Sequence, residues 1–423
     1  MSKPYVTLLG KAVRTIARLR GGGSALPGLF VEKIDPDFMR RTLAQLPDGV
    51  VVISGTNGKT TTTKMVVELL QSQGLKVFTN RTGSNFTRGV AAALLGEVDT
   101  RGKLDADIAV LELDEAHAVH FVKVIAPRFS LLLNVMRDQL DRFGEIDTTA
   151  KLLAKIALAT TEGVVLNRED PRVAAIAKLL TPELVTYFGL APGLTEQFPN
   201  DDDMRHTQKR TLSALPADVT LSSIKDTVAE FVIDGRRVSS ALKLQGIYNI
   251  YNAAAALALV RKVIGNTLDE TKLFEALSNV TPAFGRGETL TVGNQPLELV
   301  LVKNPSGFRL GLASFEPKGY QTMIAVNDDY ADGRDMSWLW DVEFDSLREN
   351  GVAMVSGMRA YDMALRLQYE EVMVTSVKTN LADALRQFIS GASDQPKRIY
   401  CTYTAMLTLR QELSKMTNVE VIS

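Results

Sequence analysis

Cysteine is almost absent from this chain. Its 423 residues include a single cysteine, Cys401, so neither an intramolecular disulfide nor a cysteine-rich zinc cluster can form. This scarcity fits a reducing compartment and predicts a cytoplasmic protein. Long apolar runs are missing too, since no segment approaches the roughly 20 residues that a membrane-spanning helix needs. The N-terminus also lacks the apolar core and cleavage site of a signal peptide, so we expect neither an integral nor an exported protein.

A large excess of charge is absent as well. The 48 lysine and arginine residues nearly balance the 49 aspartate and glutamate residues. This balance argues against a protein that binds nucleic acid through one broad basic surface. At roughly 100–200 residues per domain, the length predicts two to four domains. The chain has no internal repeat and no low-complexity tract.

Basic and apolar residues alternate near the N-terminus, in residues 4–20. The pattern is typical of an amphipathic helix that ends at the glycines Gly21 to Gly23. Such a helix either packs on the protein as an arm with a solvated cationic edge or rests on an anionic membrane surface. Packing is the more common outcome, and peripheral membrane contact at the inner face stays open as the alternative.

Apolar runs of strand length recur along the first half of the chain. A strand, a glycine-bearing loop, a helix and a second strand follow one another between residues 49 and 80. Further strands are predicted at 107–113, 129–135 and 162–167, with room for helices between them. This alternation predicts an α/β fold with a mainly parallel, doubly wound sheet. A polar stretch at about 190–225 interrupts the pattern and predicts a surface insertion or loop.

The last third of the chain shows a second α/β pattern. Short strand-like runs at 217–244 and an alanine-rich helix at 246–260 precede the sequence FGRGE at 284–288, which predicts a hinge. Beyond it, five strand-like runs alternate with helical segments and predict a smaller, Rossmann-like α/β domain. The chain is therefore divided into residues 1–285 and residues 286–423.

The loop after the first predicted strand carries the strongest chemical signal. Glycines let backbone N–H groups approach a polyphosphate, Lys59 can bridge phosphate oxygens, and the Thr60 hydroxyl can ligate Mg²⁺. Ile53 stands where a full Walker sequence has its first glycine, so the motif is a shortened variant. The candidate nucleotide-binding residues are Gly55, Thr56, Asn57, Gly58, Lys59, Thr60 and Thr61.

A carboxylate for the same metal ion is expected at the end of a neighbouring strand. Glu112 ends the apolar run IAVLE, and a parallel strand delivers its last residues to the ligand-binding edge of a sheet. Asp114 lies on the same side as Glu112 if the strand continues; otherwise Asp114 and Glu115 open a solvated loop or a helix. His117 and His120 are expected at the surface or near the substrate rather than as ligands of a structural metal.

Taken together, these features resemble the ATP-dependent Mur ligase superfamily. The segments that carry the similarity are GTNGKTT, the strand ending at Glu112, LNREDP at 166–171, GIYNIYN at 246–252 and FGRGE. Other segments extend the resemblance over nearly the whole chain and are similar to the MurT family, the synthetase subunits of lipid II isoglutaminyl synthase. They include NRTGSN at 80–85, RDQLDRFGEIDTT at 137–149, NDDYADGRDMSWLWD at 327–341 and SGMRAYDMALRL at 356–367.

The resemblance implies a fold and a reaction. Residues 1–285 would hold an N-terminal arm and a Mur ligase-type ATP-binding domain, and residues 286–423 a MurT-type domain that docks a partner. ATP would phosphorylate the α-carboxylate of the D-glutamate in the lipid II stem peptide, and ammonia would displace phosphate from the acyl phosphate to leave D-isoglutamine. The residues by themselves indicate only ATP and Mg²⁺. Lys59 and Glu112 are the implied catalytic residues, and Thr60 and Glu112 the implied Mg²⁺ ligands.

More nucleotide contacts are implied around the alanine-rich helix. By similarity, Asn249 and Asn252 face the adenine, and Tyr248 stands where related ligases often carry a histidine. Arg286 is implied to reach the nucleotide from the hinge. The alternative for the two asparagines is that they cap the helix, which their spacing of three residues serves nearly as well.

The source of ammonia lies outside this chain. Cys401 is expected to be a buried structural thiol, because no histidine is placed to pair with it. The resemblance implies a GatD-like glutamine amidotransferase subunit with its own catalytic cysteine and histidine. It also implies that an aspartate from the acidic segment 327–341 orients that histidine, Asp335 first and Asp341 second. The alternative is an acidic loop around two core tryptophans.

The chain departs from its implied relatives at one point. MurT proteins often carry a four-cysteine zinc ribbon in the middle domain, whereas residues 190–225 contain no cysteine, so no zinc is expected. Two other functions stay open. One is an amino-acid-adding Mur ligase or a folylpolyglutamate synthase-like ligase, and the other is a catalytically silent nucleotide-binding scaffold.

Overall fold

The chain forms two separate β-sheets, each flanked by helices. The computed structural model describes residues 7, 9–14, 26–80, 87–136, 146–198, 215–244, 246–281, 286–315, 317–391 and 395–419. The expectations for most of the basic N-terminal stretch, for residues 81–85 and 137–145, and for the centre of the polar stretch lie outside these residues. Across the described ranges, no helix has both the length and the apolar character needed to cross a bilayer.

The first sheet contains nine strands within the described residues, in the order β2-β3-β1-β4-β5-β6-β7-β8-β9. Strands β1 to β7 run parallel, and β8 and β9 are added as antiparallel strands. The strands are β1 Val50–Ser54, β2 Val77–Thr79, β3 Ile108–Glu112, β4 Phe129–Leu132, β5 Gly163–Asn167, β6 Val185–Leu190, β7 Val219–Lys225, β8 Val228–Ile233 and β9 Arg236–Ala241.

Helices cover both faces of this sheet. They are α1 Leu26–Ile34, α2 Phe38–Leu43, α3 Lys59–Ser72, α4 Thr87–Glu97, α5 Glu115–Val122, α6 Ile146–Ala159, α7 Pro171–Ala175, α8 Ile247–Ile264 and α9 Glu270–Asn279. Along β1, Val51 and Ile53 join the core under α3 and α8, whereas Val50 and Val52 join the core under α1, α2 and α4. A strand buried on both faces explains why these sequences read as continuous apolar runs.

The second sheet has the order β10-β11-β15-β12-β13-β14 and is parallel except for β10. Its strands are β10 Arg286–Val292, β11 Gln295–Leu301, β12 Gln321–Ala325, β13 Met354–Ser356, β14 Val377–Lys378 and β15 Lys397–Cys401. Its helices are α10 Pro305–Ser314, α11 Ala360–Tyr369, α12 Leu381–Ser390 and α13 Tyr403–Leu413. The predicted α/β class, with a doubly wound sheet and a smaller Rossmann-like unit, is confirmed. The division at residues 285 and 286 stays a prediction.

The polar stretch at 190–225 is only partly a loop. A 3₁₀ turn spans Pro192–Gln197, and β7 takes up the last seven residues as a strand of the sheet. Val219 and Leu221 of β7 are buried while its neighbouring serine and lysine side chains are largely solvated. Because only one face of this strand is apolar, its sequence resembles a polar surface segment.

Helix α10 of the second unit lies close to the glycine-bearing loop and to the start of α8 in the first. A Cβ added at Gly307, in the first turn of α10, would be 3.7 Å from the amide oxygen of Asn57. Gly246, before α8, has φ +85, and a Cβ there would be 3.1 Å from the ring of Phe315. Gly246 therefore permits a close approach of Phe315, and Gly307 lies within ordinary contact distance of Asn57, so the candidate nucleotide site lies where the two units meet.

Candidate active site

The loop between β1 and α3 has a backbone that two glycines make possible. Gly55 has φ +134 and Gly58 has φ +88, a region that other residues rarely adopt. The side chain of Asn134 fixes the loop from both directions: the Asn57 N–H donates to its Oδ1 at 2.8 Å, and its Nδ2 donates to the Asn57 carbonyl at 3.0 Å. The loop is thus shaped before any ligand arrives.

Lys59 lies across this loop. Its ammonium donates to the Gly55 carbonyl and, at 3.4 Å, to the Thr56 carbonyl. It also lies 3.7 Å from Oε2 of Glu115, whose side chain is only 4% exposed. The lysine therefore faces a buried carboxylate, that of Glu115. The start of a helix was one of the positions expected for this residue. Thr61, in the first turn of α3, is buried.

Thr60 and Glu112, the two implied Mg²⁺ ligands, are in hydrogen-bond contact. The Thr60 hydroxyl donates to Oε1 of Glu112 at 3.0 Å. The pairing of β1 with β3 places Ile53 opposite Glu112 and so brings the end of β3 beside the loop. Asn80 holds the Glu112 backbone by accepting from its N–H at 3.0 Å and donating to its carbonyl at 2.7 Å. A hydroxyl and a carboxylate oxygen are the hard donors that Mg²⁺ prefers, so these residues fit the ion.

The strand does not continue to Asp114. Asp114 caps α5 by accepting from the Ala116 N–H at 3.3 Å, so of the two alternatives the helix start is correct. Glu115 then occupies the first turn and is buried. His117 is partly buried and His120 is exposed. Among the residues that the structure describes, no cluster of three or more histidine, cysteine or acidic side chains could hold a metal ion.

A pocket opens beside the loop. One wall is aromatic, with ring centroids separated by 5.3 Å for Phe188 and Tyr251 and by 5.1 Å for Phe198 and Tyr248. Its remaining lining residues are Asn57, Gly58, Leu133, Asn134, Met136, Asn167, Glu169, Asp170, Asn252 and Leu310. Flat apolar walls with a few amides and carboxylates at the rim suit a purine base and its ribose.

Two side chains at the carboxyl end of β5 organise the polar rim of this pocket. Asn167 donates to the Leu133 carbonyl at 2.8 Å, and the Tyr251 hydroxyl donates to its Oδ1 at 2.6 Å. Asp170 accepts from the N–H groups of Val135 at 2.6 Å and of Arg172 at 2.9 Å. Burial nevertheless raises the pKa of Asp170 to about 6, because desolvation of the carboxylate outweighs these hydrogen bonds.

The candidate residues at the start of α8 separate into two groups. Tyr248 and Asn252 line the pocket together with Tyr251, which gives a single stripe along the helix. Asn249 is one residue away from this stripe and is not among the lining side chains. The N-cap position is taken by Gly246, so neither asparagine is itself the N-cap residue. The side chain of Arg286 lies outside the described part of the chain.

The sequence analysis assigned no role to several pocket residues, although the segments LNREDP and GIYNIYN contain Asn167, Asp170 and Tyr251. Asn134 follows β4, Asn167 ends β5 and Asp170 follows it, and Phe188 and Tyr251 supply the aromatic wall. The signal that located Glu112, a polar residue at the carboxyl end of a parallel strand, applies equally to Asn134 and Asn167. The aromatic residues had no such signal, because they resemble ordinary core residues.

The acidic segment at 327–341, which follows β12, contains both buried and accessible aspartates. Asp332 is buried and accepts from the Thr404 N–H at 2.9 Å, and burial raises its pKa. Asp335 is only partly buried; it accepts from the Ser337 N–H at 2.9 Å, and hydrogen bonds from Ser337 lower its pKa. Asp341 is exposed. The two candidates are thus accessible to a partner, whereas Asp332 has a structural role.

The tryptophans and the cysteine differ in their surroundings. Trp338 is buried in the core of the second unit, whereas Trp340 is 50% exposed. The alternative of two core tryptophans is therefore wrong for Trp340. Cys401 is fully buried, and burial raises the pKa of its thiol. A protonated thiol without access to solvent is not a nucleophile, which agrees with the predicted structural role.

Comparisons with known proteins identify the family of the chain. The family model for the Mur ligase middle domain matches residues 53–260, and the model for the MurT ligase C-terminal domain matches residues 301–406. The chain is 31% identical to the lipid II isoglutaminyl synthase (glutamine-hydrolyzing) subunit MurT of Streptococcus pneumoniae, over 96% of both chains. It is 29% identical to the same subunit of Staphylococcus aureus, over 86% of this chain and 87% of the relative.

The fold comparison points the same way. The structure of a pseudomurein peptide ligase type C from Methanothermus fervidus superposes with a TM-score of 0.68 at 19% identity, covering 90% of this chain and 81% of the other. This likeness shows the Mur ligase fold. Sequence identity along nearly the whole chain, together with both family models, shows the family: the chain belongs to the MurT family of Mur ligase-fold proteins.

Proposed function

We propose that this protein is the ATP-dependent synthetase subunit of a lipid II isoglutaminyl synthase. It amidates the α-carboxylate of the stem-peptide D-glutamate, with ATP as the phosphoryl donor and ammonia as the nucleophile. The observation that carries the proposal is the pair formed by Thr60 and Glu112, 3.0 Å apart beside Lys59, in a chain that matches curated MurT subunits over 96% of its length. The enzyme works on the cytoplasmic side of the membrane, where ATP is available.

The reaction needs an activated carboxylate. A carboxylate oxygen of the substrate forms a bond to the γ-phosphorus while the bond from that phosphorus to the β,γ-bridging oxygen breaks, which gives an acyl phosphate and ADP. Ammonia then forms the C–N bond and gives up a proton, and the C–O bond to phosphate breaks. Phosphate is a competent leaving group, whereas oxide is not. Catalysis in both steps consists chiefly of positioning and charge stabilisation.

The residues of the loop divide this work. Gly55 and Gly58 let backbone N–H groups approach the phosphates, and Lys59 moves from the loop carbonyls to the transferred phosphoryl group to offset its charge. Thr60 and Glu112 would hold Mg²⁺, which would supply charge neutralisation on the phosphate oxygens. Tyr248, Tyr251 and Asn252 enclose the base.

Ammonia comes from a separate GatD-like glutamine amidotransferase subunit. The curated relatives are named as subunits of a glutamine-hydrolyzing enzyme. Cys401 is fully buried and cannot hydrolyse glutamine. The accessible aspartate Asp335 orients the catalytic histidine of the partner, and the unit that holds it, residues 286–423, docks the partner.

Mass spectrometry of lipid II tests the proposal. The protein is incubated with lipid II, ATP and Mg²⁺, with ammonium in one reaction and with glutamine and the partner in another. Replacement of OH by NH₂ lowers the product mass by roughly one dalton, in line with the proposed acyl transfer. Lys59→Met removes the shift in both reactions. Lys64→Met is the matched control on α3, since Lys64 donates to Thr281 at 2.7 Å and takes no part in the loop.

Two outcomes contradict the proposal. If the wild-type protein gives no mass shift in either reaction although it binds ATP, it is not an amidating synthetase. If instead an amino acid is added to the acceptor, the amino-acid-adding Mur ligase or folylpolyglutamate synthase-like alternative is correct. ATP binding without hydrolysis under every combination of partner, substrate and glutamine indicates the silent scaffold.

A further inference from the structure

One face of α11 presents large apolar side chains to solvent. Tyr361, Leu365 and Tyr369 follow one another at intervals of four residues and are 70%, 48% and 70% exposed. The opposite side of the helix, with Met363 and Leu367, is fully buried in the core of the second unit. Residues at this spacing share one side of a helix, so the three exposed side chains form a continuous stripe.

Trp340 extends the stripe at its far end. Its ring centroid lies 5.2 Å from that of Tyr369, and the guanidinium of Arg366 lies 5.3 Å from its centre. Arg366 also donates to the Leu339 carbonyl at 3.1 Å and thereby ties the turn that carries Trp340 to α11. The name aromatic face is used below for Tyr361, Leu365, Tyr369 and Trp340. Because its parts are held together in the free protein, binding orders few side chains.

The aromatic face is unusual for the surface of this protein. In the described ranges, the exposed tyrosine and tryptophan side chains are Tyr330, Trp340, Tyr361 and Tyr369, which all lie within one segment of the second unit. Aromatic residues are enriched in the buried centres of protein interfaces. Burying the exposed parts of the aromatic face removes on the order of 500 Å² from water, more than half of the roughly 800 Å² that one partner contributes to a standard interface.

We propose that the aromatic face is the docking surface for the glutamine-hydrolysing partner subunit. The inference rests on the proposed function, which requires such a partner. Continuity with the acidic segment favours this occupant, because Asp328 forms an ion pair with Arg359 at 3.1 Å just before α11, and Trp340 belongs to the same segment near the other end of the helix. A partner seated on the aromatic face therefore also contacts the segment that contains Asp335.

Charge complementarity describes the surface that the partner needs. In the acidic segment, Asp329 and Asp341 are exposed and Asp335 is partly buried, whereas Asp332 is buried and Asp328 pairs with Arg359. A matching partner presents apolar pockets for the tyrosine rings, with lysine or arginine side chains around them. The aromatic face supplies most of the apolar area, and the charges guide orientation and association rate.

Measurement of partner binding by calorimetry tests the inference on the full-length protein. Leu365→Ser and the double variant Tyr361→Ser with Tyr369→Ser are compared with Leu158→Ser. Leu158 lies on α6 of the first unit and is 57% exposed, so it is a matched control for Leu365. We expect the double variant to bind the GatD-like subunit at least about 30-fold more weakly, as for central interface residues. The control should bind within twofold of the wild type.

Amidation with free ammonium separates this inference from the proposed function. Variants of the aromatic face should keep the ammonium-driven rate and lose the glutamine-driven rate, which also shows that they are folded. Partner affinity within twofold of wild type for both variants overturns the docking proposal. The docking proposal is also overturned if the wild type self-associates and these variants abolish that self-association. Binding of the wild type to anionic vesicles that these variants abolish overturns it too. Failure of the wild type to amidate with ammonium contradicts the proposed function, while partner affinity still tests the docking surface.

Discussion

The side-chain amide of Asn252 lies directly against Gly58. A Cβ added at Gly58 would come within 2.8 Å of Oδ1 and 2.9 Å of Nδ2 of Asn252. Gly58 precedes the first residue of α3, and Asn252 belongs to α8, which packs across it. The contact joins the phosphate loop to the pocket for the base. A methyl group at position 58 would therefore disturb both the phosphate-binding and the base-binding parts of the site.

Gly58→Ala should therefore weaken ATP binding at least about tenfold. The added methyl group displaces Asn252, and the φ of +88 costs a residue with a Cβ about 1 kcal/mol. Calorimetric titration with ATP and Mg²⁺ measures the effect. Gly74→Ala is the control, because Gly74 has φ +91 but no atom lies within 4 Å of its added Cβ. Gly74→Ala should keep the wild-type ATP affinity, and an unchanged affinity for Gly58→Ala would contradict the prediction.

Much of the fold and the phosphate loop could be predicted because their signals are local. β1 and β3 are buried on both faces and appear as uninterrupted apolar runs, and the glycines and Lys59 stand together in one segment. Glu112 could be predicted because parallel strands end at a common edge. These inferences need only the order of elements along the chain.

The base pocket could not be predicted in the same way. Phe188, Phe198 and Tyr251 come from three separate segments and meet only through the strand order of the sheet. The rotation of α8 decides that Asn252 lines the pocket and Asn249 does not, and a spacing of three residues does not fix that rotation. The burial of Glu115 likewise depends on where β3 ends and α5 begins.

Asp170 should make stability depend on pH. Burial raises its pKa from 3.8 in the unfolded chain to about 6, so the folded protein binds more protons between these values. The contribution of Asp170 to the free energy of unfolding therefore falls as pH rises through this window. From pH 5 to pH 7, the wild type should lose on the order of 1 kcal/mol relative to Asp170→Asn, measured by urea unfolding.

Asp269→Asn is the control for this experiment. Asp269 caps α9, and a hydrogen bond from the Lys272 N–H lowers its pKa. The stabilisation from a lowered pKa is complete above the ordinary value and is lost only in acid, so it should not change between pH 5 and pH 7. A difference between the wild type and Asp170→Asn that stays constant with pH would contradict the prediction.

Glu115 should make nucleotide binding depend on magnesium. Its carboxylate is buried 3.7 Å from the Lys59 ammonium and therefore competes with phosphate for that charge. We expect Glu115→Gln to bind ATP about fivefold to tenfold more tightly without Mg²⁺, and to change less than about twofold with Mg²⁺, because the ion offsets the repulsion. Titrations with and without the ion measure both values.

The control for Glu115 is another carboxylate near a lysine of the same region. Glu68 lies 3.8 Å from Lys64 on α3 and is partly exposed, so solvent screens its charge. Glu68→Gln should leave both ATP affinities unchanged. An equal gain of affinity with and without Mg²⁺ for Glu115→Gln would show that Glu115 acts on the shape of the loop rather than on its charge.

Asp335 should matter only when glutamine is the source of ammonia. Its carboxylate is accessible and is kept ionised by hydrogen bonds from Ser337, which suits a group that stabilises a histidine in another subunit. Asp335→Asn still accepts from the Ser337 N–H and should keep the turn intact. We expect it to lower glutamine-dependent amidation at least about 100-fold and to leave ammonium-dependent amidation within twofold of wild type.

The variant Asp341→Asn tests which of the two aspartates, Asp335 or Asp341, orients the histidine of the partner. Asp341 ends the turn that carries Trp340 and is more exposed than Asp335. If Asp335 orients the histidine of the partner, Asp341→Asn keeps the glutamine-dependent rate within a few-fold, and the partner binds both variants with equal affinity. A 100-fold loss for Asp341→Asn alone would transfer the role to Asp341, because a group that completes a triad affects the rate far more than the affinity.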